Sequence, residues 1–199
     1  MKTVLAALSI SILLTTAAQA CQEVFSVSSG PNSSWLGIHT NGVRYGQGQS
    51  FTLDCGSRLE FVSFHLGWGN DVGEVRSLAY GDTIRVAVRT PSGEELGRTH
   101  WVVDSGEGSR VVDFDFRSLN VLMPVGTYHA VCWTEVDACG GVRSLTSDMV
   151  AGSRIQSTTP EDPASWTAQT GEAVHRIEVD SDVTPAERSS WGGVKGCYR

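Results

Sequence analysis

The feature that most constrains this chain is a strict two-residue alternation of apolar and polar side chains at both ends of the stretch Thr83–Phe116. In Thr83-Ile84-Arg85-Val86-Ala87-Val88-Arg89-Thr90, the residues Ile84, Val86 and Val88 fall on one side, and Thr83, Arg85 and Arg89 on the other. Further on, Val112, Phe114 and Phe116 interleave with Asp113, Asp115 and Arg117. A helix would spread both sets around its circumference, whereas a strand sorts them onto two faces. The spacing therefore predicts two half-buried strands, with a Pro91-Ser92-Gly93 turn and a Gly-rich Ser105–Ser109 loop between them.

Similar patterns predict strands over residues 22–27, 59–66, 96–103, 127–135 and 173–180, a short one ending near Leu53, and a return strand over 142–147. Three stretches read as irregular: a Ser/Gly/Pro/Asn loop through Ser34, a long loop Gly67–Asp82 carrying Trp68 and Tyr80, and a polar segment Ala151–Thr170 holding Pro160, Pro163 and Trp166. Helical periodicity is almost absent. Many short strands joined by Gly-rich turns call for an all-β fold, here a two-sheet jelly-roll β-sandwich, with an immunoglobulin-like sandwich as the alternative.

The chain opens with Lys2, an apolar run Val4–Leu14 and Ala18-Gln19-Ala20, the layout of a secretory signal cleaved after Ala20. The expected organisation is thus a signal peptide over 1–20, a β-sandwich domain over 21–180, and a linker and tail over 181–199. The apolar run is too short to span a bilayer, and no later stretch is long enough, so no transmembrane segment is expected. A secreted protein at the cell surface, in the periplasm or outside the cell follows. The formal charge of −7, with basic residues scattered singly, argues against a nucleic-acid partner, which would need clustered Lys and Arg.

Five cysteines remain after cleavage: Cys21, Cys55, Cys132, Cys139 and Cys197. An odd number in an exported chain leaves one without an intramolecular partner. A lipid anchor at Cys21 would resolve the count, but Ala18-Gln19-Ala20 lacks the Leu of a lipoprotein signal and carries a bulky polar Gln19. Cys132 and Cys139 flank what reads as a hairpin end, Thr134–Gly141, and are expected to form a disulfide. The loop they would close is short, worth about 2–3 kcal/mol on the chain-entropy account.

Several pieces in order, Gly48–Thr52 followed by Cys55, Phe61–Phe64, Ile84–Val88, Pro124–Tyr128, Trp166 and His175–Val179, resemble the jelly-roll, carbohydrate-binding-like modules of secreted bacterial proteins. The resemblance covers most of residues 45–180 and implies a two-layer β fold with a glycan as ligand. The ending Ser190-Trp191-Gly192-Gly193-Val194-Lys195-Gly196-Cys197-Tyr198-Arg199 resembles a Ser-Trp-Gly-x-x-Lys-x-x-Tyr-Arg tail of exported bacterial proteins, with Cys197 where an apolar residue is usual. Trp191, Val194 and Tyr198 fall on one face of a short helix, which makes them candidates for docking on a partner.

Enzyme signatures are sparse: G-x-S-x-G, H-E-x-x-H, C-x-x-C and a complete phosphate-binding loop are all missing. Asp113 and Asp115 project from one strand face about 6.6–6.8 Å apart, a separation glycosidases use. Alternating acids on the wet face of a sheet are the simpler account and the favoured one. His65, His100 and His129 could meet across strands around a metal. Asn70, Asp71 and Glu74 group oxygen donors of the kind that suit a structural calcium, although their spacing matches no defined calcium loop and no cofactor is called for. Among the aromatics Trp68, Tyr80, Trp101 and Trp166, the loop positions of Trp68 and Trp166 make them the candidate sugar platforms, with Asn70, Asp71 and Asp162 as polar contacts. The expected function is a non-catalytic exported module binding a polysaccharide or another cell-surface polymer. The alternatives are a structural or adhesive protein docking on a cell-surface protein through its tail, and a hydrolase using Asp113 and Asp115.

Overall fold

The computed structural model describes residues 23–26, 32–69, 75–106, 108–144 and 152–180. Within them the chain forms thirteen strands. These are β1 (Glu23–Ser26), β2 (Asn32–Ile38), β3 (Arg44–Leu53), β4 (Ser57–Trp68), β5 (Thr83–Arg89), β6 (Glu95–Val102), β7 (Gly108–Asp115), β8 (Leu122–Met123), β9 (Gly126–Trp133), β10 (Cys139–Ser144), β11 (Arg154–Ser157), β12 (Thr167–Gln169) and β13 (Val174–Asp180). Two single 3₁₀ turns, Arg117–Leu119 and Pro163–Ser165, are the only helical pieces among the described residues. No helix there is long and apolar enough to cross a membrane.

All the strand ladders are antiparallel, and they form two layers. In the first, β4 is central: β13 and β10 pair with it along one edge, β7 and β8 along the other, and β1 and β2 extend the layer outward. The second runs β12-β11-β3-β9-β5-β6. The start of β3 also pairs with β2, at Tyr45 with Gly37 and Arg44 with Ile38, so the layers join along one side and the whole is nearly a barrel. The all-β two-layer expectation holds.

The alternation explains why these residues fold this way. Val62, Phe64 and Leu66 of β4, Val112 and Phe114 of β7, and Ile177 and Val179 of β13 point inward from the first layer. They meet Phe51 and Leu53 of β3, Ile84, Val86 and Val88 of β5, and Tyr128 and Ala130 of β9. Phe64 meets Phe114 edge-on at 6.3 Å between ring centroids, and Phe51 meets Tyr128 at 5.8 Å. Between Leu59 and Phe61 the register with β13 slips by one residue, so Leu59 and Val62 both face the core despite their odd separation.

Three expectations about irregular stretches need correction. The loop through Ser34 ends sooner, because Asn32–Ile38 is a strand whose Leu36 is buried in the core. The polar segment 151–170 contributes two short strands, β11 and β12, that extend the second layer. Trp68 is the last residue of β4 rather than part of a loop. Polar sequence hid the first two, since backbone pairing asks for little from side chains at a sheet edge.

Replacing Phe114 with Ala should cost about 3–5 kcal/mol in urea unfolding, as large-to-small changes in a closed core do. Val111→Ser, on the outer face of the same strand, should change stability by about 0.5 kcal/mol or less. Similar losses for both would contradict the assignment of faces.

Candidate functional site

The outer faces of the two layers differ. On the second layer, Val131 and Trp133 of β9 turn away from the main core, yet both are fully buried. They pack with Ala87 and Ile155, and Trp166 joins them from above. The cover is the segment between β11 and β12, whose Pro160 and Trp166 lie directly on Gly46: a Cβ there would sit 2.6 Å from the Pro160 ring and 2.7 Å from the indole. The guanidinium carbons of Arg89 and Arg98 stand 5.3 and 5.0 Å from the centre of the Trp133 ring, and Glu95 pairs with both arginines. Arg89 donates to the Pro160 carbonyl at 3.3 Å, tying the cover down. The part of this face around Trp133 is covered.

The first layer's outer face is open. Antiparallel register places Trp35 of β2 beside Gly141 of β10, Gly141 beside Gly67 of β4, and Gly67 beside Ser109 of β7. Side chains in such a row share one face. Two adjacent glycines therefore leave a bare floor about 10 Å across, since neighbouring strands lie about 4.8 Å apart. A Cβ on Gly67 would have Ser109 Oγ as its nearest neighbour, at 3.8 Å. Trp35 stands at one end of this floor with 42% of its surface exposed, more than any other tryptophan among the described residues. The resulting groove holds about 300 Å³ and is also lined by Ser77, Cys139 and Arg143.

The groove's wall is held from beneath. Gln47, buried between the layers, donates from Nε2 to the Trp35 carbonyl at 2.8 Å. The His39 ring lies 4.3 Å from the indole, limiting its swing. At the far end Ser109 Oγ is 2.9 Å from His65 Nε2. A flat aromatic wall beside a side-chain-free floor, with hydroxyls and a guanidinium at the margins, offers stacking and hydrogen bonding.

The residues proposed from sequence are arranged differently. Trp68 faces inward and is only 4% exposed; it packs on Trp101 at 5.2 Å and donates from Nε1 to the Ser105 carbonyl at 3.2 Å. It forms part of the groove's wall from inside and is not an open platform. Trp166 is half-buried in the cover of the other layer, so the two tryptophans do not share a surface. Asp162 caps the 3₁₀ turn Pro163–Ser165, accepting from the Ala164 N–H at 2.9 Å. Tyr80 is the exposed aromatic of its loop. Asn70, Asp71 and Glu74, and Trp191, Val194 and Tyr198 of the tail, lie outside the described residues.

Cys132 and Cys139 do not form the expected disulfide; both are buried thiols outside any disulfide. Cys132 points into the core from β9, whereas Cys139 lies on the other face of its own strand, beneath the segment at Ser77. Sequence proximity misled here because the hairpin's two strands belong to different layers. Cys55 is disulfide-bonded.

The carboxylate pair is committed elsewhere. Asp113 accepts from Ser63 and pairs with Arg176 at 3.2 Å. Asp115 is gripped by Arg117 at 2.6 Å, and that hydrogen bond holds its carboxyl below the usual range, the wrong direction for a general acid. His65 lies on the first layer's outer face, while His100 and His129 lie on the second layer's, so the three do not converge. Among the described residues no group of three or more His, Cys, Asp or Glu could hold a metal.

No protein-family model matches the chain, and no curated protein matches it in sequence.

The site residues that sequence reasoning missed are Trp35, Gly67, Gly141, Ser109 and Arg143. A usable signal was present: glycines inside strand-forming runs mark places where something approaches the backbone closely.

Two predictions follow from the buried groups. Burial pushes the Cys132 thiol far above its ordinary value, so neither Cys132 nor Cys139 should react with iodoacetamide until denaturant is added. A Cys132–Cys139 cross-linked peptide in a mass spectrum would contradict this. Burial also lowers the pKa of His129. Its unfolded form, with a pKa of about 6.5, takes up a proton first as the pH falls. Stability from this residue should therefore be full above about pH 6.5 and decline below it, and His129→Gln should flatten that decline in denaturant titrations.

Proposed function

We propose that this protein is an exported, non-catalytic binding module that holds a short stretch of glycan on the groove between Trp35 and Ser109. The observation that carries the reading is the register row Trp35–Gly141–Gly67–Ser109, which sets an exposed indole beside a floor without side chains. A pyranose ring has flat C–H faces that cover an indole well and a rim of hydroxyls that need hydrogen-bonding partners. Here Ser109 and His65 supply such groups at or beside the groove. Export is supported by the basic start, short apolar run and Ala18-Gln19-Ala20 site at the N-terminus. In the same reading the two layers are those of a jelly-roll module.

The test is a polysaccharide array with the whole mature chain, repeated with Trp35→Ala. Truncating an exposed wall residue should change stability by less than about 1 kcal/mol. Binding should fall at least about tenfold, as expected for losing a central aromatic contact. Trp68→Ala serves as contrast: it should lower stability by about 3–5 kcal/mol, because its ring is enclosed. Failure of the parent protein to bind any polysaccharide, or unchanged binding by Trp35→Ala, would remove the reading.

A further inference from the structure

We propose that this protein binds a tetrahedral oxyanion, phosphate or sulfate, at Arg154, Ser34 and Ser144, where the two layers meet beside β3. The site lies on the opposite side of β2 from the groove and does not depend on the glycan reading.

Strand pairing assembles it. On β2, Ser34 lies beside Val142 of β10, a core residue, so Ser34 faces the interior, as does Ser144 two residues beyond Val142. On β11, Arg154 lies beside Gln49 of β3, whose side chain is buried between the layers. Side chains from β2, β10 and β11 therefore turn toward one another across the layers. Arg154 donates from Nη1 to Ser34 Oγ at 2.9 Å and to Ser144 Oγ at 3.3 Å, and the two hydroxyl oxygens are 3.1 Å apart.

The charge is what calls for a ligand. Arg89, also enclosed, is held by Glu95. Arg154 is partly buried too, yet its side-chain partners among the described residues are the two neutral hydroxyls and no carboxylate. Burial pushes its pKa down, and no neighbouring acid among the described residues pushes it back up. A cation that has given up part of its hydration for neutral partners is costly, and an anion beside it offsets that cost.

The unused donors set the shape of the ligand. Nη1 is taken by the serines. Nε is enclosed and has no acceptor among the described residues, so the parallel Nε and Nη2 fork that suits a planar carboxylate is closed on one side. Nη2 is not enclosed and has no partner among the described residues. One serine also keeps its hydroxyl hydrogen, because only one of the two can donate in the bond they share. These donors come from different strands, and a tetrahedral anion spreads its oxygens widely enough to meet both.

The experiment follows the thermal unfolding midpoint of the whole mature chain as sodium phosphate, sulfate or acetate is titrated against sodium chloride at equal ionic strength. A ligand of the folded state raises the midpoint as it fills the site. Phosphate and sulfate should do so saturably in the low-millimolar range, well below the concentrations at which such salts stabilise proteins by exclusion from their surface. Acetate should bind at least about fivefold more weakly, Arg154→Gln should weaken phosphate binding at least about tenfold, and Ser34→Ala about two- to fivefold. No saturable shift with phosphate or sulfate, or equal affinity for acetate, would overturn the proposal. A shift that survives Arg154→Gln would mark an adventitious ion only and overturn it as well. Should Arg154→Gln fail to fold, Ser34→Ala decides: the stated loss supports the site, and unchanged phosphate affinity removes it.

Discussion

The structure depends on the pairing of β4. A strand buried on its inner face must pair its backbone N–H and C=O groups along both edges, because unpaired buried groups cost about 1–3 kcal/mol each. β4 does this with four partners, β13 and β10 on one side and β7 and β8 on the other. Its inward residues Val62, Phe64 and Leu66 then form the middle of the core. Its outward residues run in the order Phe61, Ser63, His65, Gly67, and they lay down the surface on which the groove lies. One strand therefore sets both the hydrophobic interior and the candidate site.

The two outer faces show opposite ways of treating a sheet surface. On the second layer, both faces of β9 are buried, and the chain returns on itself to cover Trp133 with Trp166 and Pro160. Arginines are part of that cover: they stack on the indole and keep their charges near Glu95, so apolar and ionic contacts reinforce each other. On the first layer, the charged residues Asp113, Arg176 and Glu178 pair among themselves at one end, and the other end is left bare by glycine. An exposed tryptophan beside bare backbone has no stabilising role that burial would explain. That contrast, more than any single residue, is why the first layer carries the candidate binding face.

The interior between the layers also carries polar groups, and these position the site. Gln47 and Gln49 project inward from β3, where alternation leads one to expect apolar residues. Gln47 holds the backbone under Trp35, and Gln49 accepts from the Ala173 N–H at 2.9 Å where the chain enters β13. Each side-chain amide thus ties the second layer to an element of the first. The Gly-Gln-Gly-Gln run of residues 46–49 has two purposes: its glutamines bind across the core, and its glycines admit the cover on the opposite face.

Local pattern alone determined the all-β class, the central strands β5, β7 and β13 and the inward set Ile84, Val86, Val88, Val112 and Phe114, because a period of two leaves a half-buried strand no other way to hide its apolar side. The same logic left β2, β11 and β12 obscure, since short polar strands owe their place to neighbours rather than to their own side chains. The exposure of each tryptophan was decided by the tertiary structure: Trp68 and Trp166 follow loop-like sequence yet are covered, while Trp35 sits in a strand and is open. Cys132 and Cys139 were separated in the same way, by assignment to different layers. The groove arises only when Gly141, Gly67 and Trp35, distant along the chain, come into one register row. Register is a property of strand pairing across the whole sheet, and no local stretch of residues contains it.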